Sequence, residues 1–196
     1  MRTKLIWLGI IAVIVVLYQE SSSEIRHGAG VIAPTLPQQR RIPNPEPFEW
    51  QGYTITPLAT FEVEARVLSK ERYWLGREAE LSPIDLALGW GPMSNEAVLD
   101  EIKISQGGRF YHWWADDLPI PKAVIASHSA NMHLIPGNEE VMTALKQARK
   151  GSLLGFSGFL VSVHASDGWR WKSSLTRKDV GHGACELVWV QRMTAL

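Results

Sequence analysis

Cysteine is nearly absent from this chain: Cys185 is the single one among 196 residues. A disulfide framework is thereby excluded, and so is a zinc site built from clustered thiolates. Net charge is absent too, since 20 Lys and Arg balance 20 Asp and Glu. That removes the general attraction that nucleic acid exerts on a basic protein. No serine-hydrolase elbow of the form G-x-S-x-G is found; Gly155-Phe156-Ser157-Gly158 misses its spacing by one. Long apolar runs are lacking as well, the most extended being the 14 residues from Leu5 to Tyr18.

That run is uncharged, with Arg2 and Lys4 before it and Glu20 and Glu24 after it. The positive-inside rule therefore places the N-terminus in the cytoplasm and the bulk of the chain outside. As a helix at about 1.5 Å per residue it spans roughly 21 Å, short of a hydrocarbon core of about 30 Å unless Thr3 and the residues after Gln19 are drawn in. The length also suits the core of a cleaved leader, but no A-x-A follows, only Ser21-Ser22-Ser23 and Gly28-Ala29-Gly30. The reading adopted is a signal anchor, one N-terminal transmembrane helix, over residues 1–20. A Pro-rich linker over 21–47 follows, carrying Pro34, Pro37, Pro43, Pro45 and Pro47. Residues 48–196 form a single globular domain, and the chain as a whole is of ordinary composition, 45% apolar and 20% charged.

Within that domain the pattern is mostly β. Phe61, Val63, Ala65 and Val67 alternate with Glu62, Glu64 and Arg66, which predicts one buried and one wet face. Trp50 to Ile55 predicts a strand or short hairpin, Arg109 to Trp114 an aromatic strand after the Gln106-Gly107-Gly108 turn, and Ala184 to Gln191 a final strand. Ser82-Pro83-Ile84-Asp85 has the form of a helix start, so a short helix is predicted from there to Gly89. Ser94-Asn95-Glu96 opens another, and Ala123 to Ile135 reads as a turn of helix and then a strand. The organising stretch is 138–163. Asn138 is an N-cap, Glu139 and Glu140 occupy the first turn, Lys146, Arg149 and Lys150 the last, and Val141, Leu145 and Ala148 form an apolar stripe. Gly151 then ends the helix, and Leu153 to Val163 is a strand apolar on both faces, with interior glycines where it bends. Ser166-Asp167-Gly168 turns the chain into a strand from Trp169.

A helix feeding such a strand resembles the late strand of an OB-fold, where the helix plugs one end of the barrel. The resemblance implies an α+β class, mainly antiparallel β, with a small barrel-like (OB-like) domain and short helical insertions. SPIDLALGWGPMS (82–94), ISQGGRFYHW (104–113), SHSANMHLIP (127–136) and WKSSLTRKDVGHGACELVWV (171–190) also resemble signature stretches of an uncharacterised group of exported or membrane-anchored bacterial proteins. This implies a single-pass protein of the bacterial inner membrane with its domain on the periplasmic side, and it carries over no catalytic residue.

Nine tryptophans stand out. Trp169, Arg170, Trp171, Lys172, Arg177 and Lys178 interleave indoles with cations, a mixture suited to stacking on sugars or gripping an anionic headgroup. The same pattern is produced when the indoles are core and the cations their wet reverse side. Outside the cytoplasm the expected ligand is a glycan, a lipid or an envelope protein. The competing chemistry is nucleophilic: Cys185 with His182 three residues upstream, supported by His128 or Asn131, in an order similar to that of L,D-transpeptidases. That family places an arginine where Glu186 stands. His128 and His133 are five apart, on one face of neither helix nor strand, so no metal site is expected even with His112, His164 or His182 nearby. Ser173 and Ser174 lie on no elbow, and no cofactor is expected. The preferred reading is a non-enzymatic, membrane-tethered binding domain.

Overall fold

The structure, a computed structural model, describes residues 24–176 and 185–196. Its frame is the long strand β3 (Tyr53–Arg72). β1 (Gln38–Arg41) and β2 (Phe48–Trp50) pair with it antiparallel. Gln51 (φ 49°) and Gly52 (φ 82°) are both left-handed, which makes the predicted hairpin a two-residue turn. After α1 (Arg77–Leu81) comes β4 (Ile84–Gly89), then a 3-10 turn (Gly91–Ser94) and α2 (Glu96–Leu99). The separate hairpin of β5 (Lys103–Gly107) and β6 (Phe110–Trp114) follows, with α3 (Lys122–Ser127) and β7 (Ser129–Pro136) after it. α4 (Glu139–Gln147), β8 (Leu153–Ala165), β9 (Arg170–Lys172) and β10 (Glu186–Ala195) complete the order.

Hydrogen-bonded pairing runs from β3 to β4, β7, β10, β8 and back to β3, so the mixed sheet is partly closed into a ring. Every step is antiparallel except β7 with β10, which are parallel. Phe61, Leu86, Met132, Phe156, Leu160 and Val188 fill the inside, joined by Val141 and Leu145 from α4. Burying each such side chain contributes about 1.5–3 kcal/mol, far more than helix propensity supplies to a nine-residue helix. Asn138 caps α4 as expected, its side chain accepting from the Val141 amide at 2.9 Å. A second cluster lies on the outer face, where Ile55, Ile135, Val163, Leu187 and Trp189 carry the half-buried Trp50, Trp169 and Trp171.

Three departures from the sequence reading have physical causes. First, Ser82–Gly89 is not a helix: 84–89 is strand β4, with all six residues buried. The local helix-start signal survives only as a Ser82 hydroxyl contact to Asp85 at 3.3 Å, and pairing to β3 and β7 overrides the weak local preference. Second, Arg66 is 2% exposed rather than wet, because chain from the expected linker lies across it. Third, that linker is bound over much of its length. The Ile25 amide donates to Lys150 O at 2.9 Å, the His27 and Gly28 amides to Glu96 at 2.5 and 2.8 Å, and those of Ile32 and Ala33 to Ser94 Oγ at 3.1 Å each. Ala33 is buried in the main core, and β1 belongs to the sheet. Proline spacing hides such a strap, since its amides are satisfied by side chains instead of by a periodic ladder.

Glycines mark two close approaches. A Cβ on Gly158 would run into the Trp189 carbonyl, beside the register shift in β10 between Val190 and Arg192. One on Gly151 (φ 88°) would run into the Ile25 carbonyl of the strap. Among the described residues no helix is long and apolar enough to cross a membrane. The expected anchor, Leu5 to Tyr18, lies outside the described residues.

Candidate functional site

Strand alternation builds a polar cluster on the outer face of the ring. In β4, Ile84, Leu86 and Leu88 point inward, which turns Asp85 outward. In β7, Met132 and Leu134 point inward, which turns Asn131 and His133 outward. The β4–β7 register sets Asp85 directly opposite His133. Their side chains meet: His133 Nδ1 lies 2.8 Å from Asp85 Oδ2, with Asp85 fully buried and His133 4% exposed. A carboxylate only accepts, so Nδ1 donates in this contact.

The tip of the β5–β6 hairpin closes over this pair. Gly108 (φ 58°) and Arg109 (φ 71°) are both left-handed, the backbone of a type I′ turn. Arginine at the second of these positions is unusual and costs about 1 kcal/mol or more. Bonds at several of its groups offset that cost. The Arg109 amide donates to the Tyr73 hydroxyl at 3.0 Å; Nη1 donates to Asp85 Oδ1 at 2.8 Å and to Ser82 O at 2.9 Å. Its carbonyl accepts from Asn131 Nδ2 at 3.0 Å and from the Cys185 thiol at 3.8 Å. The guanidinium carbon lies 3.9 Å from the Tyr73 ring centroid and 5.6 Å from that of Trp171. Burial raises the Tyr73 phenol above its ordinary range, against the opposing effect of the Arg109 amide, so it stays protonated at neutral pH. Eighteen per cent of the Arg109 side chain remains exposed, so a charge fixed by aromatic walls is still open to solvent.

The predicted residues fall around this centre. Trp171 is half-buried on β9, its ring 5.0 Å from that of His133. Trp169 is also half-buried, 6.2 Å from Trp171 and 5.9 Å from Tyr53, with the Arg77 guanidinium carbon 5.3 Å from its ring. Arg77 donates to Asp167 at 2.6 and 3.0 Å, tying α1 to the turn before β9. Arg170 and Lys172 are exposed on the other side of β9. Arg177 and His182 lie outside the described residues. Cys185 is half-buried, with its thiol on the Arg109 carbonyl. His128 sits elsewhere, as the C-cap of α3, with Nδ1 on Val124 O at 2.9 Å and on the Ser127 hydroxyl at 3.0 Å. Among the described residues no hydrogen bond joins it to Cys185, and no group of three or more His, Cys, Asp and Glu side chains is placed to hold a metal.

Asp85, Arg109 and Tyr73 are the members that sequence reasoning missed. The Gly107-Gly108 pair before an arginine was the available signal, since a tight turn after two glycines aims the next side chain. Comparison of the chain with family models, with curated proteins and with solved structures gives no match.

Proposed function

We propose that the chain is a non-enzymatic, membrane-tethered domain of the bacterial cell envelope that binds a ligand or partner protein over Trp169 and Trp171, with Arg109 at its centre and Arg170 and Lys172 on the reverse side of β9. The observation that carries this reading is the fixed, part-exposed Arg109 guanidinium beside the Tyr73 and Trp171 rings. We take the ring to be an OB-type barrel. Numbered within the ring, its order is 1-2-3-5-4-1, its third and fifth strands are parallel, and its one nine-residue helix follows the third. OB-folds bind chains across strands 2 and 3 and the loops joining strand 1 to 2 and strand 4 to 5. Here those strands are β4 and β7, which hold Asp85 and His133, and α1 and β9 lie in the corresponding loops. The apolar run Leu5 to Tyr18 supports the tether, and the zero net charge favours a glycan, lipid or protein over nucleic acid.

The test is photo-crosslinking in living cells of the full chain carrying p-benzoylphenylalanine at Trp169, half-buried beside Trp171. A discrete adduct is expected there and none from Glu64, which is exposed on β3 next to Gly155, toward the other end of the β3–β8 ladder. Identical patterns from both positions would remove the assigned face.

One observation favours a second reading, an envelope hydrolase or transpeptidase using a Cys-His pair. Cys185 precedes β10 by one residue and the parallel β7–β10 register sets Leu187 beside His133, so the thiol and an imidazole oriented by Asp85 share one side of the sheet. Rapid alkylation of the native thiol at neutral pH would support catalysis. The binding reading expects alkylation to be slow until the protein is unfolded.

A further inference from the structure

The burial of Arg66 points to a second site. Its side chain is 2% exposed, yet its contacts are long: Nη1 to Ser94 O at 3.3 Å, Nη2 to Ile25 O at 3.5 Å and Nη2 to Glu96 Oε2 at 3.5 Å. All three exceed the usual 2.7–3.2 Å of an N–H···O bond, and among the described residues Nε makes none. A guanidinium has five donors, so a buried cation is left under-bonded. Glu96 is largely spent elsewhere: it takes the His27 and Gly28 amides and forms an ion pair with Arg26. Burial alone would raise the Glu96 carboxyl, but the two amides and the charges of Arg26 and Arg66 hold it below the usual carboxylate range.

Arg66 lines a cavity of about 310 Å³, which falls at the small end of the roughly 300–1,000 Å³ typical of ligand pockets. Leu99, Ile102 and Ile104 supply an apolar wall, and Lys103 and Lys150 lie at its margin with Arg26. Its other carboxylates are engaged, Asp100 with Arg26 and Glu24 with Lys150. This cavity stands apart from the Trp171 face: Arg66 pairs with Leu153 at one end of the β3–β8 ladder, whereas Trp171 lies beside Val163 near the other.

We infer that this cavity binds a small organic acid, with its carboxylate toward Nε of Arg66 and its apolar body against Leu99, Ile102 and Ile104. A carboxylate gives Nε a charge-assisted partner, and the wall rewards an aliphatic or aromatic group that a bare inorganic anion lacks.

The experiment is equilibrium dialysis of radiolabelled benzoate against the full chain in nanodiscs, with empty nanodiscs as the blank. Saturable benzoate binding is expected, with at least tenfold weaker binding of acetate, which lacks the body, and of benzylamine, which reverses the charge. Leu99→Trp, which fills the cavity and leaves every charge in place, should weaken benzoate at least tenfold, and Arg66→Lys should weaken it while keeping a cation. Should Arg66→Lys fail to fold, Leu99→Trp decides. Absence of saturable benzoate binding, equal binding of benzylamine, or benzoate binding indifferent to Leu99→Trp would overturn the inference.

Discussion

Asp85→Ala is expected to destabilise the protein by about 3 kcal/mol, read as a shift of the denaturant midpoint at unchanged slope. Asp85 is fully buried and serves two partners, so its removal strands the Arg109 guanidinium and the His133 Nδ1–H together. The estimate sits at the low end of the roughly 3–5 kcal/mol for breaking a buried pair, because Arg109 is part-exposed and can recover water. The same change removes the side-chain anchor of a left-handed Arg109, so the β5–β6 tip should loosen and exchange its amides faster. A loss below about 1 kcal/mol would mean that the cluster is not the tightly coupled unit its geometry describes.

Gly151→Ala should destabilise by at least about 2 kcal/mol and act chiefly on the strap. Two costs add. The backbone there is left-handed at φ 88°, and the new methyl would occupy the place of the Ile25 carbonyl. Relief requires the strap to move away from Lys150, which also strains the Glu96 contacts to His27 and Gly28. Hydrogen exchange at those two amides is the direct measurement, and protection equal to that of the unmodified protein would contradict the account. For the proposed tether the consequence is geometric. If the packed body starts at Ile25 and not at Phe48, only residues 19–24 separate it from the apolar run, at most about 20 Å of extended chain.

Much of the fold was legible where a segment decides its own conformation. Asn138, the acidic first turn and the Val141–Leu145 stripe specified α4, and two-sided apolarity marked β8 as a strand with neighbours on both edges. The Phe61–Val67 alternation held except at Arg66, which no local pattern exposes as buried because its cover comes from a strap some 40 residues earlier in the chain. The 82–89 stretch failed for the converse reason: its local signals say helix, and two long-range ladders make it β4. The candidate site was half legible. Composition drew attention to Trp171 and Trp169, while Asp85, Arg109 and His133 meet only through the β4–β7 register and a hairpin packed across it, neither of which residue spacing encodes.

The measurement that tests the central claim most directly is recovery of bound species from detergent-solubilised envelope, using the full chain and its Trp171→Ala variant side by side. Trp171 is half-buried at the margin of the outer cluster, so the variant is expected to keep a cooperative unfolding transition. The unmodified chain should retain a ligand or partner in fixed proportion, and Trp171→Ala should lose it while still melting as one unit. Equal recovery from both, or a variant that has lost its fold, would show that the indole serves the core and that the assigned face is not where this protein binds.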